Sequence, residues 1–88
     1  MRAVVYGRVQ GVGYRDYVQR HAVALRLGGW VRNREDGRSV EVHAVGDRAT
    51  LERLLLLLRE GPRFASVRDT QVQWPGPAER MTGFVVRY

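Results

Sequence analysis

The residues best placed to do chemistry stand in one short stretch, Gly7-Arg8-Val9-Gln10-Gly11-Val12-Gly13-Tyr14-Arg15. Glycine permits positive φ and lets backbone approach a ligand with no Cβ in the way. The N–H groups from Gln10 through Gly11, Val12, Gly13 and Tyr14 to Arg15 can then turn inward as a nest. A helix beginning near Gly13 or Tyr14 adds its unpaired first-turn N–H groups and the positive end of its dipole. The chemistry on offer is the holding of an anion. Arg15 falls in that first turn, where a cation disfavours the helix itself, so a partner anion helps to account for it. Taken alone, the stretch is equally compatible with a tight strand-to-helix connection whose Arg15 points into water. Its glycine register is GxxxGxG, which matches neither the GxxxxGK[ST] nucleotide loop nor GxGxxG, and the chain contains no lysine.

Other polar residues offer less. Asn33 is the only asparagine and stands just before Glu35-Asp36-Gly37, where by itself it reads as a turn residue making an Asx bond. His21 falls within a helix and His43 on the polar phase of a strand, so neither is expected to act as a base. Asp16 is expected to support the helix N-terminus rather than react. Glu35, Asp36, Asp47 and Glu52 lack metal-ligand spacing, and no cysteine offers a thiolate, so neither a metal nor a cofactor is expected. Trp30 reads as core or edge packing.

The bulk composition narrows the setting. At 88 residues the chain is expected to be one domain, 1–88, with a modest core. With no cysteine, no leading apolar segment and no long apolar run, the expectation is a cytoplasmic protein that does not enter a membrane. The net charge of +6 attracts phosphorylated or polyanionic partners. The arginines are scattered along the chain, which fits a solvated mixed-charge surface, and nucleic acid is not the expected partner.

These residues must be positioned by the elements around them. Arg2 to Val9 is a short β-prone run. From Tyr14 to Leu27 the apolar residues Tyr14, Tyr17, Val18, Ala22 and Leu25 recur at helical steps, with Gly28-Gly29 read as the stop. Trp30 to Asn33 begins a second strand, and Ser39 to Val45 alternates as a third, together a hairpin. Asp47 caps a second helix in which Leu51, Leu54, Leu55 and Leu58 share a face, and Gly61-Pro62 stops it. Phe64 to Trp74 is a less regular strand, Pro75-Gly76-Pro77 an irregular connection, and Thr82 to Tyr88 a closing strand. The order is βαββαβ with an extra short β segment or an interrupted fourth strand. Two βαβ units in so short a chain imply the ferredoxin-like α+β sandwich, an antiparallel sheet with two helices on one face and the first and third strands central. The loop after the first strand and the segment near Asn33 could then lie at adjoining edges.

The order and distance of two motifs make the chain specific. Gly7 to Arg15, then Gly29-Trp30-Val31-Arg32-Asn33 with Gly37, Val40 and Gly46 following, resembles the acylphosphatase family. The resemblance runs the whole length, with Ala22, Leu25, Leu27, Gly61-Pro62 and the closing Gly83-Phe84-Val85-Val86-Arg87-Tyr88 at family-like spacing. Two features depart from it. Tyr14 stands where the family commonly has Phe, adding a hydroxyl expected beside the site, and the stretch from Gly37 to Val40 looks one residue longer, which is assigned to a bulge in the hairpin turn.

The resemblance implies metal-free hydrolysis of the carboxyl–phosphate bond of acyl phosphates, with Arg15 holding the phosphate and Asn33 positioning the attacking water. The backbone from Gln10 to Arg15 completes the cradle, and inorganic phosphate or sulfate is expected to occupy it. The implied protein is a monomer whose partner is the small-molecule substrate. The chemistry suits the residues, because a carboxylate is a good leaving group and phosphoryl transfer asks mainly for positioning and charge stabilisation. Arginine can bond two phosphoryl oxygens at once, and asparagine can orient a water without becoming charged. The alternatives are a non-enzymatic ferredoxin-like module for anions or RNA, and a domain that meets acyl or carbamoyl phosphate only within a larger assembly. Against the first, the aromatic signature of RNA-recognition sheets is missing.

Overall fold

In the computed structural model, which describes residues 1–75 and 80–88, the chain folds as β1 (Arg2–Arg8), α1 (Tyr14–Ala24), β2 (Gly28–Asn33), β3 (Ser39–Val45), α2 (Arg48–Glu60), β4 (Ser66–Gln73) and β5 (Phe84–Arg87). The strands form one sheet in the order β4-β1-β3-β2-β5. Every pair is antiparallel except β2 with β5, which is parallel, so the sheet is mixed at that edge rather than antiparallel throughout. β1 and β3 are central, as expected. The extra β segment is β5, which adds a fifth strand beside β2.

Alternation along the strands explains the layering. Ala3 and Val5 of β1, Val31 of β2 and Val40, Val42 and Ala44 of β3 are buried on one face, where α1 contributes Val18 and Ala22 and α2 contributes Leu51, Leu54 and Leu58. Burial of such aliphatic side chains stabilises the fold by about 1.5–3 kcal/mol each. Leu57 packs partly against this core and Leu56 is exposed. The tyrosines at the start of α1 reach across to the end of α2. The Tyr14 hydroxyl donates to the Leu58 carbonyl at 2.7 Å and that of Tyr17 to the Leu57 carbonyl at 2.8 Å. The Leu57 carbonyl also accepts from Gly61 N–H at 2.9 Å, whereas the Leu58 carbonyl would look to residue 62, a proline with no N–H, so the Tyr14 hydroxyl supplies the donor the helix end lacks.

The ends of β1, β4 and β5 fall within two residues of the sequence reading, but two features differ from it. α1 ends earlier than Leu27 and is not stopped by Gly28-Gly29, which open β2. The stop is Arg26 at φ 59°, with Arg26 N–H bonding the Val23 carbonyl and Leu27 N–H the Ala22 carbonyl. That pair of bonds is a Schellman closure with arginine in the left-handed position that glycine fills best. The β2–β3 ladder keeps one register from Gly28 opposite Val45 to Asn33 opposite Val40, so no bulge interrupts it and residues 34–38 form the loop. The sheet's one register shift lies between Tyr6 and Gly7, in the β1–β4 pair. Of the expected irregular connection, Gly76 and Pro77 lie outside the described residues.

Candidate active site

β1 leaves the sheet into residues 9–13, and Gly13, at φ 77°, is the residue from which α1 starts. Its carbonyl accepts the first helical bond, from Tyr17 N–H at 3.0 Å. No side chain of the described residues caps this helix. Among the described residues no backbone carbonyl accepts from the N–H groups of Gln10 through Asp16. Gly11 also has positive φ, 72°, and a Cβ at either glycine would meet nothing within 4 Å, so the conformation rather than crowding selects glycine. The loop is thus a run of unpaired donors at the positive end of a helix.

These donors open on a cleft of about 520 Å³ lined by Gly11, Gly13, Tyr14, Arg15 and Asn33, with Asp16 and Gln19 from α1 and Val85, Val86 and Tyr88 from the C-terminal strand. Asn33 reaches it as the last residue of β2, on the same face as buried Val31. Among the described residues its buried Oδ1 has no hydrogen-bond partner, and a buried acceptor without a donor is disfavoured by roughly 1–3 kcal/mol unless a ligand or water supplies one. Arg15 is steadied at the mouth. Its Nη1 donates to the Arg87 carbonyl at 3.2 Å, and its guanidinium lies 4.5 Å from the centre of the Tyr88 ring. The other guanidinium N–H donors remain available, since arginine carries five. The Asp16 carboxylate, which would repel an anion, accepts from Arg20 at 3.0 Å.

Not every residue of the expected cradle faces the cleft with its side chain. Gln10 turns its Nε2 to the carbonyls of Arg34 and Ser39, at 2.8 and 2.9 Å, and so ties the loop after β1 to the hairpin that carries Asn33. Val12 packs against the core. For both, only the main chain is free to serve an anion. Tyr14 corrects a sequence expectation, because its hydroxyl lies against α2 at Leu58 and not beside the site. Burial pushes that hydroxyl's pKa well above the ordinary tyrosine value, which leaves it a permanent donor.

Sequence reasoning missed Gln19 and the β5 wall. Gln19 is one turn beyond Arg15 on the same helix face, a spacing that could have found it. Its Nε2 donates to the Phe84 carbonyl at 3.1 Å and pins β5 to α1. The β5 wall carries no such local signal, since it depends on a parallel pairing between segments far apart in the chain.

His21 packs edge-on against Tyr17, and His43 stacks on Trp30, both away from the cleft. Asp36 closes the turn before β3, accepting from Arg38 N–H and the Ser39 hydroxyl. Among the described residues no three His, Cys, Asp or Glu side chains gather closely enough to hold a metal ion, and no helix is long and apolar enough to cross a membrane.

Known proteins place the whole chain in a family. The acylphosphatase family profile matches residues 1–86. An acylphosphatase of Caldivirga maquilingensis is 44% identical over 88 residues, covering 100% of this chain and 93% of its own length. One from Thermus thermophilus is 49% identical over 84 residues, covering 96% and 93%. The crystal structure of acylphosphatase from Bacillus subtilis superposes with a TM-score of 0.93 at 40% identity, covering 99% of this chain and 96% of that one. By profile, by sequence and by superposition alike, the chain is a member of the acylphosphatase family, hydrolases that act on acyl phosphates.

Proposed function

We propose that this chain cleaves the carboxyl–phosphate bond of acyl phosphates in the cleft at the start of α1, with Arg15 and Asn33 as its catalytic side chains. The phosphoryl oxygens accept from the free N–H groups between Gln10 and Asp16, and the Arg15 guanidinium bonds two of them. Asn33 Oδ1 accepts a hydrogen bond from a water, which leaves a lone pair of the water oxygen facing phosphorus. The water oxygen bonds to phosphorus, the bond from phosphorus to the acyl oxygen breaks, and the electron pair leaves on the carboxylate. The proton of the water passes to a phosphoryl oxygen, so no protein base is required. Negative charge builds on the equatorial and leaving oxygens, where fixed donors in a half-enclosed cleft stabilise the transition state more than they would in water.

The observation that carries this reading is that Arg15, Gly11, Gly13 and Asn33, which come from two distant motifs, line one cleft. The partnerless Oδ1 of Asn33 adds to it. The absence of cysteine fits a reducing compartment such as the cytoplasm.

The test is turnover of an aromatic acyl phosphate, followed by loss of its absorbance at neutral pH with a chelator present. Hydrolysis well above the spontaneous rate is expected. Turnover indistinguishable from the uncatalysed reaction would remove the reading and favour the anion-binding module.

A further inference from the structure

The face of the sheet turned away from the helices takes no part in the reaction described above. Scattered in sequence, almost half of the chain's arginines meet there. Arg8, Arg38 and Arg68 line a groove at the end of the sheet near the hairpin loop. Arg2, Arg32 and Arg34 line the next, over the central strands. Arg87 joins the third, beside Trp30. Among the described residues lining these three grooves, Glu41 is the only acid.

Glu41 does not cancel this charge so much as arrange it. It is 2% exposed, and its two carboxylate oxygens accept from Arg2 Nε and Arg32 Nε, each at 2.8 Å. Both arginine side chains stay about half exposed, at 54% and 50%, so each is fixed by one edge and presents the other outward. Desolvation raises the Glu41 pKa, but the bonds from Arg32 and Arg2 outweigh it and hold the group below the ordinary carboxylate value.

Aromatic rings stand among the cations. Trp30 stacks on His43 with ring centres 5.7 Å apart, and the Arg87 and Arg32 guanidinium groups lie 4.8 and 5.7 Å from its ring. Tyr6 lies under Arg34, whose Nη1 donates to its hydroxyl at 3.0 Å. Aliphatic lining is confined to Val4 and Pro75, too little for insertion into a lipid surface.

We infer that this open sheet face binds single-stranded nucleic acid, with the arginines on phosphates and Trp30 and Tyr6 offering rings to unpaired bases. Cations alone would suit any polyanion, whereas cations interleaved with rings fit a strand whose bases are free to stack. A duplex keeps its bases inside, and an acidic protein has none. The expectation against nucleic acid rested on arginines dispersed along the chain, and folding gathers them.

The test is fluorescence anisotropy with a labelled single-stranded uridine oligonucleotide of roughly 15 nucleotides. The wild type is expected to bind at low salt and to weaken as salt rises. The triple variant Arg34→Ser, Arg38→Ser, Arg68→Ser should lower the slope of log affinity against log salt by about 2, at about 0.7 per lost phosphate contact on a single strand. The equally charged triple Arg53→Ser, Arg59→Ser, Arg63→Ser, whose side chains are exposed on α2 and the turn after it, should leave the slope unchanged. Trp30→Leu should weaken binding about tenfold at fixed salt without altering the slope. Acyl phosphate turnover reports that each variant is folded. No binding at low salt, equal losses in the two triples, equal affinity for a duplex, or equal competition by polyglutamate would each overturn the inference.

Discussion

The two helices begin in opposite ways. α2 starts at Asp47, whose carboxylate accepts from Thr50 N–H at 3.0 Å and from the Thr50 hydroxyl at 2.8 Å. α1 starts at Gly13, which has no side chain to offer, so its first N–H groups go without a cap even though Asp16 stands beside Arg15 in the first turn. Where stability is the only demand, the sequence supplies the acidic cap that a helix N-terminus prefers. At α1 it withholds the cap and surrounds the unpaired donors with Asn33, Arg15 and the β5 wall. The difference supports the proposed site, since an anion at α1 would do for that helix what Asp47 does for α2.

The comparison predicts that damage at α1 falls on turnover and damage elsewhere falls on stability. The largest effect is expected from Arg15→Ala and Asn33→Ala, each lowering turnover by at least ~10²-fold with the melting temperature little changed. Retained turnover in either would break the comparison at its functional end. Next is Tyr14→Phe, which leaves the buried Leu58 carbonyl without its donor. It should cost about 2 kcal/mol by chemical denaturation and leave turnover near that of the wild type, because the hydroxyl faces α2 and not the cleft. A large fall in turnover at unchanged stability would instead return the Tyr14 hydroxyl to the site.

Asp47→Ala sharpens the contrast from the other helix. Loss of the cap should lower stability by about 1 kcal/mol and leave the kinetics untouched. The smallest effect is a gain. Arg26→Gly relieves a left-handed residue at the end of α1 and should raise stability by roughly 1 kcal/mol or less. A destabilised Arg26→Gly protein would mean that the arginine side chain makes a contact outweighing its backbone strain.

Much of this was legible in the chain because it is written locally. The glycine register before Tyr14, the Asp47 cap, the inward apolar set Val40, Val42 and Ala44 of β3 and the buried face formed by Leu51, Leu54, Leu55 and Leu58 all follow from neighbours within a few residues. The expected half-exposure of β3 did not hold, because Ser39 and Glu41 on its polar phase are buried by their own partners. What the sequence hid is non-local or depends on where one side chain points. The parallel pairing of β5 with β2, which builds the cleft wall, has no local periodicity to announce it. Arg26 rather than Gly28 ends α1 because the Schellman bonds close where Leu27 can bury, and that packing overrides glycine's preference for the position. The Tyr14 hydroxyl was expected at the site because its backbone is there, but the ring crosses the core to α2.

The central claim is that an anion seats itself on the uncapped start of α1. Titration of inorganic phosphate into the ¹⁵N-labelled protein, followed by amide chemical shifts, tests it most directly. The account predicts saturable shifts concentrated at Gly11 through Asp16 and at the Asn33 side-chain amide, with the amides after Asp47 still and the response lost in Arg15→Ala. Shifts that are absent, that centre on α2, or that persist undiminished without Arg15 would contradict it.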